Sequence, residues 1–337
     1  MGLTRIKMER FTAFESMDVE LSPGINIFIG DNGTGKTHLL KVAYAACDIT
    51  KTKGSFAGKL IRTFLPYERR IGRLVFRTGK SSRAVAEISQ GKAKIRISFS
   101  NHSKAPKSAR ITGKVDWTAS EIESAYIPVK EVLANAPGFR SLYASRDIAF
   151  EEVYADIIDR AFRPMLRGPH DDTRRMLLSS IQKVIKGEVV QKEEHFFLRS
   201  KQGMLEFTLL AEGMRKLALL WLLIQNGTLL KGSVLFWDEP EANLNPKKLG
   251  PLVEILLQLQ QMGVQILLAT HDYVLLKEFD LQAGDGDSLR YHALYRDKGR
   301  TIRHSATERF LEIHPNAIVD TFADLYNREV RRSLRMD

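Results

Sequence analysis

The sequence predicts an α/β fold on a parallel sheet, and three stretches carry that prediction. An apolar run at residues 25–29 leads into Gly30-Asp31-Asn32-Gly33-Thr34-Gly35-Lys36-Thr37, and a helical pattern follows over residues 38–49. Two later apolar runs, 234–237 and 264–269, end in the polar tips Asp238-Glu239 and Thr270-His271. Helical patterns at 213–224, 246–261 and 273–279 alternate with these runs, which implies right-handed crossovers between parallel strands.

The other elements follow in order. Residues 3–29 read as two strands joined by a turn at Ser22-Pro23-Gly24, and residues 50–55 as a polar break. Short, partly alternating runs at 74–76, 84–88 and 95–99 read as an antiparallel meander, and 125–127 as a strand ended by Pro128. Residues 129–186 read as a mainly helical insert, followed by short strands at 188–191, 195–198 and 205–209. A terminal hairpin at 289–304 and a last helix at 316–334 complete the chain. The resulting division is a first lobe at 1–127 with the glycine-rich loop and the meander, the insert at 128–204 as a second lobe, the remaining core at 205–310 and a C-terminal helix at 311–337.

Composition narrows the class. With 337 residues and 44% apolar content the chain supports a sizeable core. Its longest apolar run, 217–224, is too short to span a bilayer, and the N-terminus lacks a signal-peptide core. Cys47 is the one cysteine, which excludes an internal disulfide framework. A cytoplasmic protein with no membrane partner is expected. The net charge of +11 is concentrated: residues 51–114 hold 17 Lys and Arg against Glu68 and Glu87. Such a segment suits a nucleic-acid backbone or an acidic protein, and equally a solvated basic surface.

The glycine-rich stretch reads as a phosphate-binding loop. Gly30, Gly33 and Gly35 let successive backbone N–H groups turn into one concavity, and the helix start adds its positive end. Lys36 is placed to reach the β- and γ-phosphates, and the Thr37 hydroxyl to meet Mg²⁺. Asp238 is expected to hold the metal and Glu239 to polarise the attacking water. His271, at the tip of the next strand, falls beside the same phosphates, because ligands gather at the carboxyl ends of strands in an open α/β sheet.

The order of phosphate loop, Gly213-containing helix start, Asp238-Glu239, the loop 241–246 and His271 resembles the soluble ABC-type ATPases of the branch containing RecF, SMC-like and OLD proteins. By this resemblance the fold is a P-loop ATPase head with a mixed sheet, an antiparallel β subdomain and a helical insert. Gly30, Asp31, Asn32, Gly33, Thr34, Gly35, Lys36 and Thr37 form the Walker A motif. Asp238 and Glu239 are the Walker B pair, Asn243 lies in the D-loop and His271 is the switch histidine. Two ATP molecules, each with Mg²⁺, are implied between head-to-tail subunits, giving a homodimer or a higher homo-oligomer. The signature region falls at Leu210-Ala211-Glu212-Gly213-Met214. Ala211 lacks the usual hydroxyl there, leaving the Gly213 N–H and the charges of Arg215 or Lys216 to meet the partner's phosphate. No glutamine can be assigned as a Q-loop near 126–128.

The chain has neither a heptad-rich insert long enough for a coiled coil nor a following acidic nuclease cluster. It resembles the compact ATPase components of two-gene antiphage or toxin-like systems. The expected function is ATP hydrolysis that senses DNA or an invader and controls a separate effector, a nuclease or toxin. Two alternatives are a slow ATP-binding scaffold that holds a toxin inactive and a DNA-repair ATPase of the RecF type. A transporter subunit is disfavoured by the altered signature and the missing Q-loop glutamine.

Overall fold

The structure is a computed structural model and describes residues 2–146, 148–168, 171–299 and 301–334. The chain begins with β1 (Arg5–Phe11), β2 (Phe14–Glu20) and β3 (Ile25–Ile29), then α1 (Lys36–Thr52) and α2 (Phe56–Phe64). Next come β4 (Arg83–Gln90), β5 (Ala93–Ser100), β6 (Arg110–Thr112), α3 (Lys114–Thr118) and β7 (Ser124–Ile127). The insert supplies α4 (Phe139–Ser145), α5 (Glu152–Ala161) and α6 (Asp172–Ile185), followed by β8 (Glu188–Lys192), β9 (His195–Ser200) and β10 (Gly203–Glu206). The remaining core is α7 (Glu212–Gln225), β11 (Val234–Asp238), α8 (Leu249–Gln261), β12 (Gln265–Thr270) and α9 (Tyr273–Gln282). It ends with β13 (Leu289–Arg296), β14 (Ile302–Thr307) and α10 (Ala317–Ser333). Residues 335–337 of the expected last segment lie outside the described residues.

The central sheet has the order β14-β13-β3-β12-β11-β7. All its neighbouring strands run parallel except β14, which pairs antiparallel with β13. Strands β3, β12, β11 and β7 are buried on both faces, and side-chain alternation splits the first three between two cores. Ile25, Ile27, Leu235, Trp237, Ile266 and Leu268 join the core that includes α6, α7 and α8. Phe28, Val234, Phe236, Leu267 and Ala269 join the core of α1, α2 and the antiparallel sheet. Strands covered on both sides read as continuous apolar runs, which is why β3, β11 and β12 were visible in the sequence.

The antiparallel sheet, β2-β1-β4-β5-β6, carries Arg83, Lys94, Arg96 and Arg110 of the basic segment, whose other cations lie on helices, turns and loops. Several local expectations are corrected. Residues before β3 form a hairpin of two strands, turning at Thr12-Ala13 with Arg10 and Thr12 at φ 47° and 48°. That turn contains no Gly, Pro, Asn or Asp to announce it. The run 74–76, expected as a strand, is the end of a 3₁₀ turn over Ile71–Leu74 followed by one bridge residue, Val75, paired with Phe11. Helix α2 was unread, because Gly58 interrupts its pattern, although Ser55 caps it by accepting from the Gly58 N–H. The expected terminal hairpin is part of the central sheet, with β13 lying directly beside the phosphate-loop strand.

The insert is bound tightly to the first lobe through α5. Lys59 of α2, almost fully buried, meets Asp156 of α5 at 2.5 Å and Asp48 of α1 at 2.8 Å. Arg160 of α5 meets the other Asp48 oxygen at 2.7 Å and donates to the Ser124 carbonyl of β7 at 2.6 Å. Among the described residues no helix is long and apolar enough to cross a membrane.

Candidate functional site

β3 delivers the chain to a loop whose backbone only glycine adopts without strain. Gly30 lies at φ 143° and Gly35 at φ 90°. A Cβ on Gly30 would stand 2.0 Å from the Leu294 carbonyl oxygen, and one on Gly35 would stand 2.5 Å from the Phe14 ring. Packing and conformation therefore both require glycine here. Thr34 Oγ1 donates to the Asp31 carbonyl at 2.8 Å and tightens the turn. Lys36 Nζ folds back to donate to the carbonyls of Gly30 at 2.6 Å and Asp31 at 3.1 Å, placing its ammonium in the loop's concavity. Burial holds that ammonium below its ordinary pKa, against the opposing pull of Glu239 and Asp238. Asn32 and Gly33 form the exposed rim, where Arg296 of β13 donates to the Gly33 carbonyl at 2.8 Å.

Opposite the loop, β11 ends in buried Asp238. Its Oδ1 accepts from Thr37 Oγ1 at 3.1 Å and its Oδ2 from the Tyr126 hydroxyl at 3.2 Å. Burial raises this carboxyl's pKa, and the Thr37 hydrogen bond opposes the rise. Thr37 and Asp238 thus present adjacent hard oxygen donors, a set that suits Mg²⁺ completed by phosphate oxygens and water. The loop's N–H concavity and the Lys36 ammonium suit a polyphosphate in the same way.

Glu239 follows at φ 49°, a left-handed conformation that is costly for a side-chain-bearing residue, with its N–H bonded to the Ala269 carbonyl at 2.9 Å. The turn aims its partly exposed carboxylate at His271, whose Nδ1 lies 3.3 Å from Glu239 Oε1. Glu241, unassigned as a side chain in the sequence reading, fixes the base of this pair. Its Oε1 accepts from Thr270 Oγ1 at 2.7 Å and from the His271 N–H at 3.3 Å, and burial raises its pKa.

The structure brings Gly30 through Thr37, Asp238, Glu239 and His271 to one end of the parallel sheet. The signature region differs from expectation. Lys216 is buried and donates to the carbonyls of Ala242 at 3.0 Å and Glu239 at 3.4 Å, so it ties α7 to the loop of its own subunit. Arg215 is likewise held within the chain, by buried Glu131 at 2.8 Å and the Phe207 carbonyl at 2.9 Å. Neither cation points outward to a partner's phosphate. Glu212 does not cap its own helix and instead accepts from the Glu131 N–H at 3.2 Å. Gly213 packs against the loop that carries Asn243, where a Cβ would meet the Asn243 carbonyl oxygen at 2.6 Å. Asn243 itself is exposed at φ 62°.

This close approach gives a prediction. Gly213→Ala must displace the Asn243 loop, costing about 1–3 kcal/mol in chemical denaturation, as overpacking does. An unchanged unfolding midpoint would show that the loop yields freely.

Sequence reasoning missed Tyr126, Glu241, Thr270 and Arg296. Three of them sit in or beside apolar strands, and the fourth opens the loop 241–246, whose position was read but not the role of this side chain, so only the fold reveals what they touch.

The family described as "AAA domain, putative AbiEii toxin, Type IV TA system" matches residues 25–277. The DNA replication and repair protein RecF of Pectobacterium atrosepticum is 31% identical over 111 residues, which are 33% of this chain and 31% of RecF. RecF of Salmonella typhimurium is 33% identical over 97 residues, 29% of this chain and 27% of RecF. The matched stretch thus spans about a third or less of these curated relatives. Among solved structures, an Smc head domain with an extended coiled coil bound to the C-terminal domain of ScpA, from Pyrococcus furiosus, aligns with a TM-score of 0.55. That alignment has 11% identity over 98% of this chain and 99% of the other. An SmcHead bound to the C-winged helix domain of ScpA aligns at 0.53, with 12% identity over 91% of this chain and 97% of the other. These two likenesses speak to fold alone.

Proposed function

The chain belongs to this AAA-domain family and has the fold of the RecF/SMC branch of ABC-type ATPases, and from that premise we propose that it binds Mg²⁺·ATP and hydrolyses it. The observation that carries the reading is the convergence of Lys36, Thr37, Asp238 and Glu239 at one end of the parallel sheet. Thr37 and Asp238 would hold Mg²⁺, which would supply charge neutralisation at the phosphates. Loop N–H groups and Lys36 hold the phosphate oxygens. Glu239 accepts the proton of the attacking water, and His271, 3.3 Å from it, orients that carboxylate and contacts the terminal phosphate.

Phosphate release by the purified chain tests this reading. Turnover that requires Mg²⁺ and is abolished by EDTA supports it; no ATP binding at millimolar nucleotide overturns it.

The finer reading is an ATP-closed homodimer of a cytoplasmic protein that regulates a separate effector. It draws on the family's toxin–antitoxin description and on the exposed Asn243 loop seated against Gly213, a surface suited to a second subunit. With Arg215 and Lys216 facing inward and Gly213 buried against the Asn243 loop, a partner's phosphate would meet the α7 start with no cation of this region behind it, so closure is expected to be weak and turnover slow. Co-purification with the adjacent gene's product, with and without ATP, tests the effector role. Association indifferent to nucleotide would remove it.

DNA is the proposed trigger, read by the basic segment, where Arg73, Arg77 and Lys80 line one groove with Asn101. Duplex DNA should bind without sequence preference, with each neutralised phosphate adding a log–log salt slope of about −0.9. Replacing these three cations by alanine should flatten the slope by up to about 2.7 on that scale. Fluorescence anisotropy at low and moderate salt is the measurement. An unchanged slope would assign the groove to an acidic protein instead.

A further inference from the structure

Asp238 is joined to the helical insert by a continuous buried path. The Tyr126 hydroxyl, in a side chain almost completely buried on β7, donates to Asp238 Oδ2 at 3.2 Å. A phenylalanine would fill the same volume without desolvating a hydroxyl, so packing alone does not account for a tyrosine here. The Tyr126 ring lies against that of Tyr44 on α1, with centroids 5.4 Å apart. Tyr44 in turn donates to Asp156 Oδ2 on α5 at 2.7 Å. Two cations flank the Tyr44 ring, Lys59 at 5.4 Å and Arg160 at 5.5 Å from its centroid. Both are held by carboxylates: Lys59 by Asp48, Glu152 and Asp156, and Arg160 by Asp48. Glu152, Asp156 and Arg160 recur every four residues, so one face of α5 makes all these contacts.

We propose that Tyr126 is a positioning residue that orients the Asp238 carboxylate for the metal, and that Tyr44 relays metal binding to the seating of α5. The proposal rests on the Mg²⁺·ATP reading of the site. Thr37 occupies one Asp238 oxygen and Tyr126 the other, so the carboxylate's rotation is set by both. A cation drawing on Asp238 shifts the Tyr126 hydroxyl, and the packed ring passes that shift to Tyr44. The Tyr44–Asp156 bond lies within a cluster whose members are all within 3.2 Å of a partner. Displacement there changes how α5 is held. Close-packed interiors transmit such shifts because they have few voids to absorb them. The chain lacks an assignable Q-loop glutamine, and this path links metal site and insert without one.

The test uses the full chain, Mn²⁺ as the metal and a non-hydrolysable ATP analogue as the nucleotide. Free Mn²⁺ is followed by electron paramagnetic resonance. Tyr126→Phe should weaken Mn²⁺ binding about tenfold, in line with loss of a hydrogen bond to a charged group, while analogue binding in EDTA stays at the wild-type value. Tyr44→Phe should leave Mn²⁺ affinity within about twofold, because the Asp238 contact survives. Hydrogen exchange supplies the second readout. In wild type the amides of α5 should change protection on adding Mn²⁺ with the analogue, and in Tyr44→Phe they should not. Wild-type Mn²⁺ affinity in Tyr126→Phe overturns the positioning role. Wild-type α5 exchange that ignores bound metal overturns the relay, and that measurement needs no variant to fold. Failure of the wild-type chain to bind the analogue either with Mn²⁺ or in EDTA would instead remove the nucleotide reading itself.

Discussion

Glu239→Gln is expected to lower ATP turnover by about 100- to 10,000-fold while leaving ATP bound, the range that loss of a general base produces. The substitution is nearly isosteric. Backbone geometry at φ 49° and the N–H bond to Ala269 do not depend on the side-chain charge, so the turn should persist. Asp238 and Thr37 retain the metal donors. A protein that binds ATP and cannot clear it should accumulate in its closed dimer, and sedimentation with ATP should show the variant more dimeric than wild type. Turnover within tenfold of wild type would assign the base to another group, His271 at 3.3 Å from the Glu239 carboxylate being the first candidate. Low turnover with no added dimer would remove the sandwich and leave the hydrolysis.

What was legible in the sequence was what local patterning controls. β3, β11 and β12 read as strands because burial on both faces makes them uninterrupted apolar runs, and their polar tips marked the site end. Glycines demanded by loop conformation announced the phosphate loop. Illegible were the contacts that exist only after folding. Lys216 and Arg215 looked like outward cations beside the signature region, yet each is drawn inward by groups far along the chain: Ala242 for one, Glu131 for the other. Tyr126 looked like one more apolar strand residue, and its partner lies 112 positions away. Helix α5 read as part of an insert, whereas its charged face is locked to α1 and α2. Opposite charges separated by a hundred residues leave no periodic signal, so their pairing is invisible to any window.

Lys36→Met should abolish ATP binding without destabilising the folded chain, and the two effects separate its binding role from its structural one. The ammonium is mostly buried and its pKa is lowered by that burial, so carrying the charge is a cost to the fold when no phosphate shares the loop. Its hydrogen bonds to the carbonyls of Gly30 and Asp31 offset only part of that cost, since those oxygens lie at a loop that water reaches. Methionine keeps much of the apolar stem and removes the charge. Thermal unfolding without nucleotide should therefore give a midpoint equal to or above wild type. ATP should stabilise wild type by about 2.7 kcal/mol at a hundredfold excess over Kd, and the variant by nothing measurable. If ATP raises both midpoints equally, Lys36 does not hold phosphate and the glycine-rich turn is only a turn. If the variant unfolds several degrees lower without nucleotide, its carbonyl bonds hold the loop together, and loss of ATP binding would then follow from a collapsed loop rather than a missing charge.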